Sequence, residues 1–275
     1  MTDLGLVFAI IAAVSWGTFF VPVRKVGVES IWQLQGATSI GVLLFSIPIG
    51  FFWGFEIQPW GIFSGIIWTL ANVLALYSIK LIGLAKTSPL LAGFSIITSF
   101  AWGIVFFGES FDSLILALIG IVLLLSGLPL VIIREKSSTI QKSGYLVAVA
   151  SGLIGGSYVI PMQATNTLQS GFFSSSLSIF AIGIPLFFLA KRFVKKEIIA
   201  GTTSGILFNL GSLSVLIAVG LIGITTAYPI SQTATLFAVS WGILYFKEIV
   251  HRTGIVRISV GAAVILCGAA FLAIA

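Results

Sequence analysis

Ten apolar stretches divide the chain, and the connections between them alternate in charge. All 14 lysines and arginines fall in five groups: Arg24 and Lys25; Lys80 and Lys86; Arg134, Lys136 and Lys142; Lys191, Arg192, Lys195 and Lys196; Lys247, Arg252 and Arg257. The intervening connections and both ends carry none. An apolar run of about 20 residues is long enough to cross a bilayer as a helix, because only internal hydrogen bonding satisfies the backbone there. Cytoplasmic loops are the ones enriched in Lys and Arg. The pattern therefore predicts an all-α polytopic membrane protein with five basic loops in the cytoplasm and both termini outside. The expected spans are 4–23, 31–53, 60–80, 86–107, 113–133, 144–163, 171–190, 198–220, 225–246 and 254–274.

Composition agrees. The chain is 58% hydrophobic and 8% charged, against about 25% charged residues in a soluble domain. Ten spans use most of 275 residues and leave only short loops. The net charge of +6 follows from the orientation bias, and no basic patch interleaved with aromatics suggests a nucleic-acid partner. Cys267 is the lone cysteine, which excludes a disulfide framework or a thiolate metal site. The first apolar stretch follows Met-Thr-Asp without a basic leader and is long enough to span, so it reads as a helix and not a signal peptide. No nucleophile elbow, phosphate loop or zinc motif is present, and His251 has no ligand-spaced partner. No catalytic residue, metal or cofactor is expected, so the chain does not read as an enzyme.

The two halves resemble each other at an offset of 139 to 141. Trp16–Pro22 (WGTFFVP) matches Gly155–Pro161 (GGSYVIP), and Gly61–Ile66 (GIFSGI) matches Gly201–Ile206 (GTTSGI). Leu81–Pro89 (LIGLAKTSP) matches Leu221–Pro229 (LIGITTAYP), and Trp102–Glu109 (WGIVFFGE) matches Trp241–Glu248 (WGILYFKE). The polar stretch Arg134–Ser143 separates them. This predicts a first five-helix repeat at 1–133, a cytoplasmic linker at 134–143 and a second repeat at 144–275. Five helices per half place the second copy upside down in the membrane. Inverted repeats build many secondary transporters, with the substrate near the midplane between the halves.

The chain resembles the drug/metabolite transporter superfamily over essentially its whole length. Within it, the first half is most similar to the glucose/ribose/rhamnose porter branch. Phe19–Lys25 (FFVPVRK), Gln35–Gly41 (QGATSIG), the run from Gly65 through Trp68 and Asn72 to Gly83, and Lys86–Pro89 (KTSP) carry the resemblance. It implies that spans 1 to 4 and 6 to 9 enclose a central cavity that opens alternately to either side as the repeats rock. The second half is more diverged.

No Asp or Glu lies in the middle of a span. A buried ionisable group is the usual mark of a proton relay or a charged-substrate site, so the pattern favours a neutral polar cargo. Glu29, beside Arg24 and Lys25, is the coupling candidate if it is more than an interfacial ion pair. Asn72, Asn209, Gln35, Gln163 and Gln232 supply amide donors and acceptors suited to sugar hydroxyls; they equally suit interhelical hydrogen bonds. Gln33 lies closer to the interface. Trp16, Trp68 and Tyr158 can pack on a sugar ring or fill helix contacts, while Trp32, Trp53 and Trp60 read as interfacial anchors. Pro22, Pro161, Pro89 and Pro229 sit at or within one turn of helix ends, as hinges or as ordinary starts and stops. Lys86 is matched by a basic residue in the porter branch; it is a gate or anion contact, or a snorkelling lysine. Gly120 and Gly127, and Gly254, Gly261 and Gly268, form smooth stripes on spans 5 and 10. They suit close packing within the chain or a homodimer face. The expected function is a carrier for a small neutral metabolite, a monosaccharide first, with the lipid bilayer and the small-molecule substrate as partners. The alternative cargo is an amino acid or an anionic sugar derivative.

Overall fold

Every described apolar stretch becomes helical. The computed structural model describes residues 2–106, 108, 113–132, 139–222, 227 and 230–275. The first span is two helices, α1 (Thr2–Thr18) and α2 (Val21–Val26). Then come α3 (Ile31–Trp53), α4 (Pro59–Ile82), α5 (Leu84–Val105) and α6 (Leu114–Val131). The sixth span is again two helices, α7 (Thr139–Gly155) and α8 (Ile160–Ala164). After α9 (Gly171–Phe188) and α10 (Lys195–Ile222), the ninth span holds α11 (Ala234–Ser240) running into a π-helical turn, Trp241–Tyr245. The chain ends in α12 (Arg252–Ala273). Among the described residues, nine helical stretches are long and apolar enough to cross a membrane.

The breaks fall within the first and sixth spans, each of which remains one stretch long enough to cross a membrane. α2 and α8 each carry proline at the second helical position, Pro22 and Pro161. A proline there has no N–H to give to the turn before it and its ring crowds that turn, so the preceding helix stops and a new one starts. Pro89 lies inside α5, five residues beyond its first residue. Helices α7 and α10 also begin earlier than hydropathy suggested, at Thr139 and Lys195. A polar first turn is invisible to an apolar-run criterion. Pro229 lies outside the described residues.

Glycine seams fix the packing. α3 lies against α10 and α9, α4 against α7 and α9, α1 against α10 and α11, α5 against α7 and α11, and α6 against α12. Gly5 of α1 abuts Leu221 and Ile222 of α10, and Gly144 of α7 abuts Leu81 and Ile82 of α4. Gly17 presses on Ala234, and Gly156 presses on Ser95. Gly61 and Gly65 press α4 onto Gly171 and Ser175 of α9, while Gly201 and Gly205 press α10 onto Leu34 and Thr38 of α3. In the α6–α12 seam, a Cβ on Gly127 would lie 2.9 Å from the Gly261 carbonyl oxygen, and one on Gly268 would lie 2.7 Å from that of Gly120. Lipid gives helices no hydrophobic reason to associate, so such close backbone contact supplies the van der Waals attraction that holds them.

Among the described residues, four of the five basic loops meet through side-chain hydrogen bonds, some of them accepted by the carboxylates of Glu197 and Glu248. The Glu197 side chain is 1% exposed, and its Oε1 accepts the backbone N–H groups of Glu29 (2.9 Å) and Ser30 (3.0 Å) at the start of α3. Gln33 completes this corner by donating to the Val194 carbonyl and accepting from the Val194 N–H. Lys80 Nζ donates to the Glu29 carbonyl.

Candidate functional site

A cavity of about 660 Å³ lies between α1, α4, α5, α7 and α10, within the range of small-molecule sites. Its lining is skewed toward the end away from the basic loops. It reaches Gly103 on the last turn of α5, Leu168 in the α8–α9 connection and Val219 near the end of α10. In the other direction it stops at Phe19, Phe20, Ala75 and Ser88. Beyond that floor, Phe20, Val23, Val28, Ile31, Leu34, Leu76, Ile79 and Leu84 form a continuous apolar cluster with Trp241 and Phe246 against it. Phe19 and Phe20 sit in the break between α1 and α2, so interruption of the helix places the floor.

Two asparagines from facing helices line the cavity, each held from behind. Asn72 on α4 donates through Nδ2 to Gln35 Oε1 at 2.7 Å. Asn209 on α10 donates to the Val42 carbonyl at 2.8 Å and to Ser176 Oγ at 3.0 Å. A main-chain carbonyl only accepts, so that bond fixes the orientation of the Asn209 amide. Both of its protons are engaged, and Oδ1 has no hydrogen-bond partner among the described residues. Trp68 and Phe208 pack with ring centroids 4.3 Å apart and planes 36° apart, and Trp16 Nε1 donates to the Phe208 carbonyl at 3.2 Å. These rings make an apolar wall whose faces suit the C–H surface of a sugar. No Asp, Glu, Lys, Arg or His is among the described residues that line the cavity.

Of the residues named from the sequence as substrate contacts, Trp16, Trp68, Asn72, Tyr158, Gln163, Asn209 and Gln232 line this cavity. Gln35 does not. It is fully buried behind Asn72, which it positions. Lys86 is 6% exposed at the start of α5 and lies off the lining, as do Pro22, Pro89 and Pro161. Glu29 is exposed in the α2–α3 loop. Sequence reasoning missed the serines: Ser88, Ser95 and Ser99 line the cavity from one face of α5, and Ser64, Ser151, Ser175 and Ser212 line it from other helices. Their separations on α5, seven and then four residues, are a helical stripe that was readable in advance. Ser95 and Ser99 donate to the Gly152 and Gly156 carbonyls, at 3.0 and 2.8 Å.

A bundle of membrane-spanning helices around a mainly apolar cavity, set with amides and hydroxyls and without charge among its described lining residues, fits a membrane transport protein. The chain belongs to the sugar transport protein family, which it matches over residues 7–275. It is 26% identical to the glucose uptake protein GlcU of Bacillus subtilis, across 99% of each chain. To a protein of Latilactobacillus sakei provisionally named for ribose uptake, RbsU, it is also 26% identical, across 97% of each. A solved crystal structure shares the fold, with TM-score 0.63 at 17% identity, covering 97% of this chain and 95% of the other. The porter resemblance read from the first half is thereby borne out. The chain is a sugar-porter-like integral membrane protein of a prokaryotic plasma membrane, and not an enzyme.

Proposed function

We propose that this protein carries a neutral monosaccharide across the plasma membrane by alternating access, using residues 1–133 and 144–275 as two inverted five-helix repeats. The observation that carries the cargo assignment is the cavity. It offers amide and hydroxyl groups from Asn72, Asn209, Gln163 and Gln232 beside a wall of Trp16, Trp68 and Phe208, and no charge among the described residues. A sugar presents hydroxyl donors around a ring with apolar faces, and Asn209 Oδ1 is an acceptor with no protein partner among the described residues. An anionic cargo would want a cation at the lining, and Lys86 does not reach it.

The inverted repeat is supported by packing. Gly5 with Gly144, Gly17 with Gly156, Gly61 with Gly201 and Gly65 with Gly205 are pairs at an offset of 139 or 140, and each pair makes contacts between corresponding spans. The helix breaks at Pro22 and Pro161 also correspond, and both act as hinges in this reading. With the basic loops in the cytoplasm and the termini outside, a floor near the basic end makes this the outward-facing state. No carboxylate among the described residues touches the lining, so facilitated diffusion is the favoured mode; Glu29 remains the coupling candidate at the surface. The α6–α12 seam buttresses the carrier, and the outer faces of these helices, with Ile115, Val122 and Val260 exposed, meet lipid or a second copy.

The test is uptake of radiolabelled glucose and ribose into proteoliposomes, with and without an inward proton gradient. Saturable uptake of either sugar, reduced by Asn72→Ala, is expected, with little acceleration by the gradient. Folded, correctly inserted protein that takes up neither sugar would refute the assignment to these two cargoes.

A further inference from the structure

The turn that closes the basic end carries an unusual concentration of constraint. The π-helical turn Trp241–Tyr245 is followed by Lys247, a non-glycine residue with φ of 51°. That left-handed backbone aims the next side chain, Glu248, back into the bundle, where it is 4% exposed. Its Oε1 accepts from Arg24 Nε on α2 at 2.6 Å and from the Leu84 N–H at 2.9 Å. Its Oε2 accepts from the Ala85 N–H at 2.7 Å. Both N–H groups belong to the first turn of α5, which Gly83 (φ 84°) separates from α4. A Cβ on Gly83 would lie 2.7 Å from the Glu248 carboxylate, so glycine leaves the space in which the carboxylate sits. Arg24 also lies over the Phe246 ring, 5.8 Å from its centroid.

One carboxylate thus joins three chain segments: the end of the first span, the start of the fourth and the end of the ninth. All three meet around the apolar floor, at the end the cavity does not reach. The three hydrogen bonds are charge-assisted, two of them at a helix N-terminus where the backbone favours an anion. We propose that Glu248 is the latch of the inner gate. Holding Arg24 and the first turn of α5 together keeps the basic end shut while the cavity faces outward, and passage of cargo inward requires these contacts to part. The proposal rests on the alternating-access reading above, and it concerns access, not the identity of the cargo.

Sided labelling tests it. In a Cys267→Ala background, Ser88→Cys reports on the deepest serine of the lining. A membrane-impermeant maleimide should label it in right-side-out vesicles and not in inverted ones. Adding Glu248→Gln should raise labelling from the basic face by about tenfold or more, as the population shifts toward the inward-open state. Arg24→Gln, which leaves both backbone contacts in place, should give a smaller rise in the same direction. A Glu248→Gln protein with a cooperative melt that still labels only from the opposite face overturns the proposal. So does Ser88→Cys that labels equally from both faces without it. A structural role alone would lower stability without changing the side of access. If no sugar is transported, the labelling still decides the latch, so the two failures are distinguishable.

Discussion

Replacing Asn209 with alanine separates a ligand contact from a helix pin, because the side chain holds both positions at once. Its two amide protons are given to Val42 and Ser176, which ties α10 to α3 and α9. Interhelical hydrogen bonds in membranes average about 0.6 kcal/mol, with a maximum near 1.7. Losing two should therefore cost about 1–2 kcal/mol of stability. The residue is 3% exposed and lines the cavity. One neutral hydrogen bond to a sugar hydroxyl contributes about 0.5–1.5 kcal/mol, which corresponds to roughly a two- to tenfold change in Kd. Ser176→Ala is the control. It removes one anchor of the amide and leaves the lining intact, so it should lower the melting temperature with less effect on affinity. Sugar affinity can be read from the fluorescence of the cavity tryptophans in nanodiscs, alongside a thermal melt of each variant. If Asn209→Ala melts earlier but binds every transported sugar as tightly as the parent, Asn209 is a helix pin and the assigned acceptor role is wrong.

Two further substitutions test the scaffold. Gly127→Ala places a Cβ 2.8 Å from Ile265 Cγ1 and 2.9 Å from the Gly261 carbonyl oxygen, so the α6–α12 seam must open, at about 1–3 kcal/mol. By contrast Gly220→Ala, which has nothing within 4 Å among the described residues, should be neutral or stabilising by up to about 1 kcal/mol; melting temperatures in one detergent decide both, and equal effects would contradict the seam. Glu197→Gln keeps an acceptor for the α3 N-terminus but removes the charge, so the melting temperature should fall while sugar affinity, read at the distant cavity, stays unchanged.

Nine of the ten expected spans, with their approximate limits, were legible because hydrocarbon imposes one requirement on every span; the other, 225–246, is described only in part. The interruptions at Pro22 and Pro161 were half legible: proline announces a disturbance, but only packing decides whether a helix bends or restarts. Among the candidate ligands, Asn72 and Asn209 could be named because a buried amide in a span is rare enough to notice. Gln35 was misplaced by the same argument, since residue type reports depth and not which face of α3 points at the cavity. Serines escaped because they occur throughout such helices and satisfy themselves on backbone carbonyls, locally for Ser175 and Ser212 and across to a neighbouring helix for Ser95 and Ser99. Glu197 and Glu248 lie away from the middle of any span in the sequence, and their burial became visible only when α3 and α5 were brought against them. Both cap N-termini far away in sequence, which no local pattern encodes.

The apolar plug beneath the cavity also determines where the membrane voltage falls. Where solvent enters the polar cavity, little of the potential is dropped along it. Most of the field is compressed across Phe20, Val23, Leu76, Ile79 and Leu84. One elementary charge moved through 100 mV exchanges about 2.3 kcal/mol with that field. The described cavity lining carries no such charge, and Arg24 and Glu248 lie beyond the plug as a pair of zero net charge. If that pair parts sideways, within the plane of the membrane, no charge crosses the compressed field. On the proposed alternating-access reading, parting this ion pair would then draw no free energy from the membrane potential.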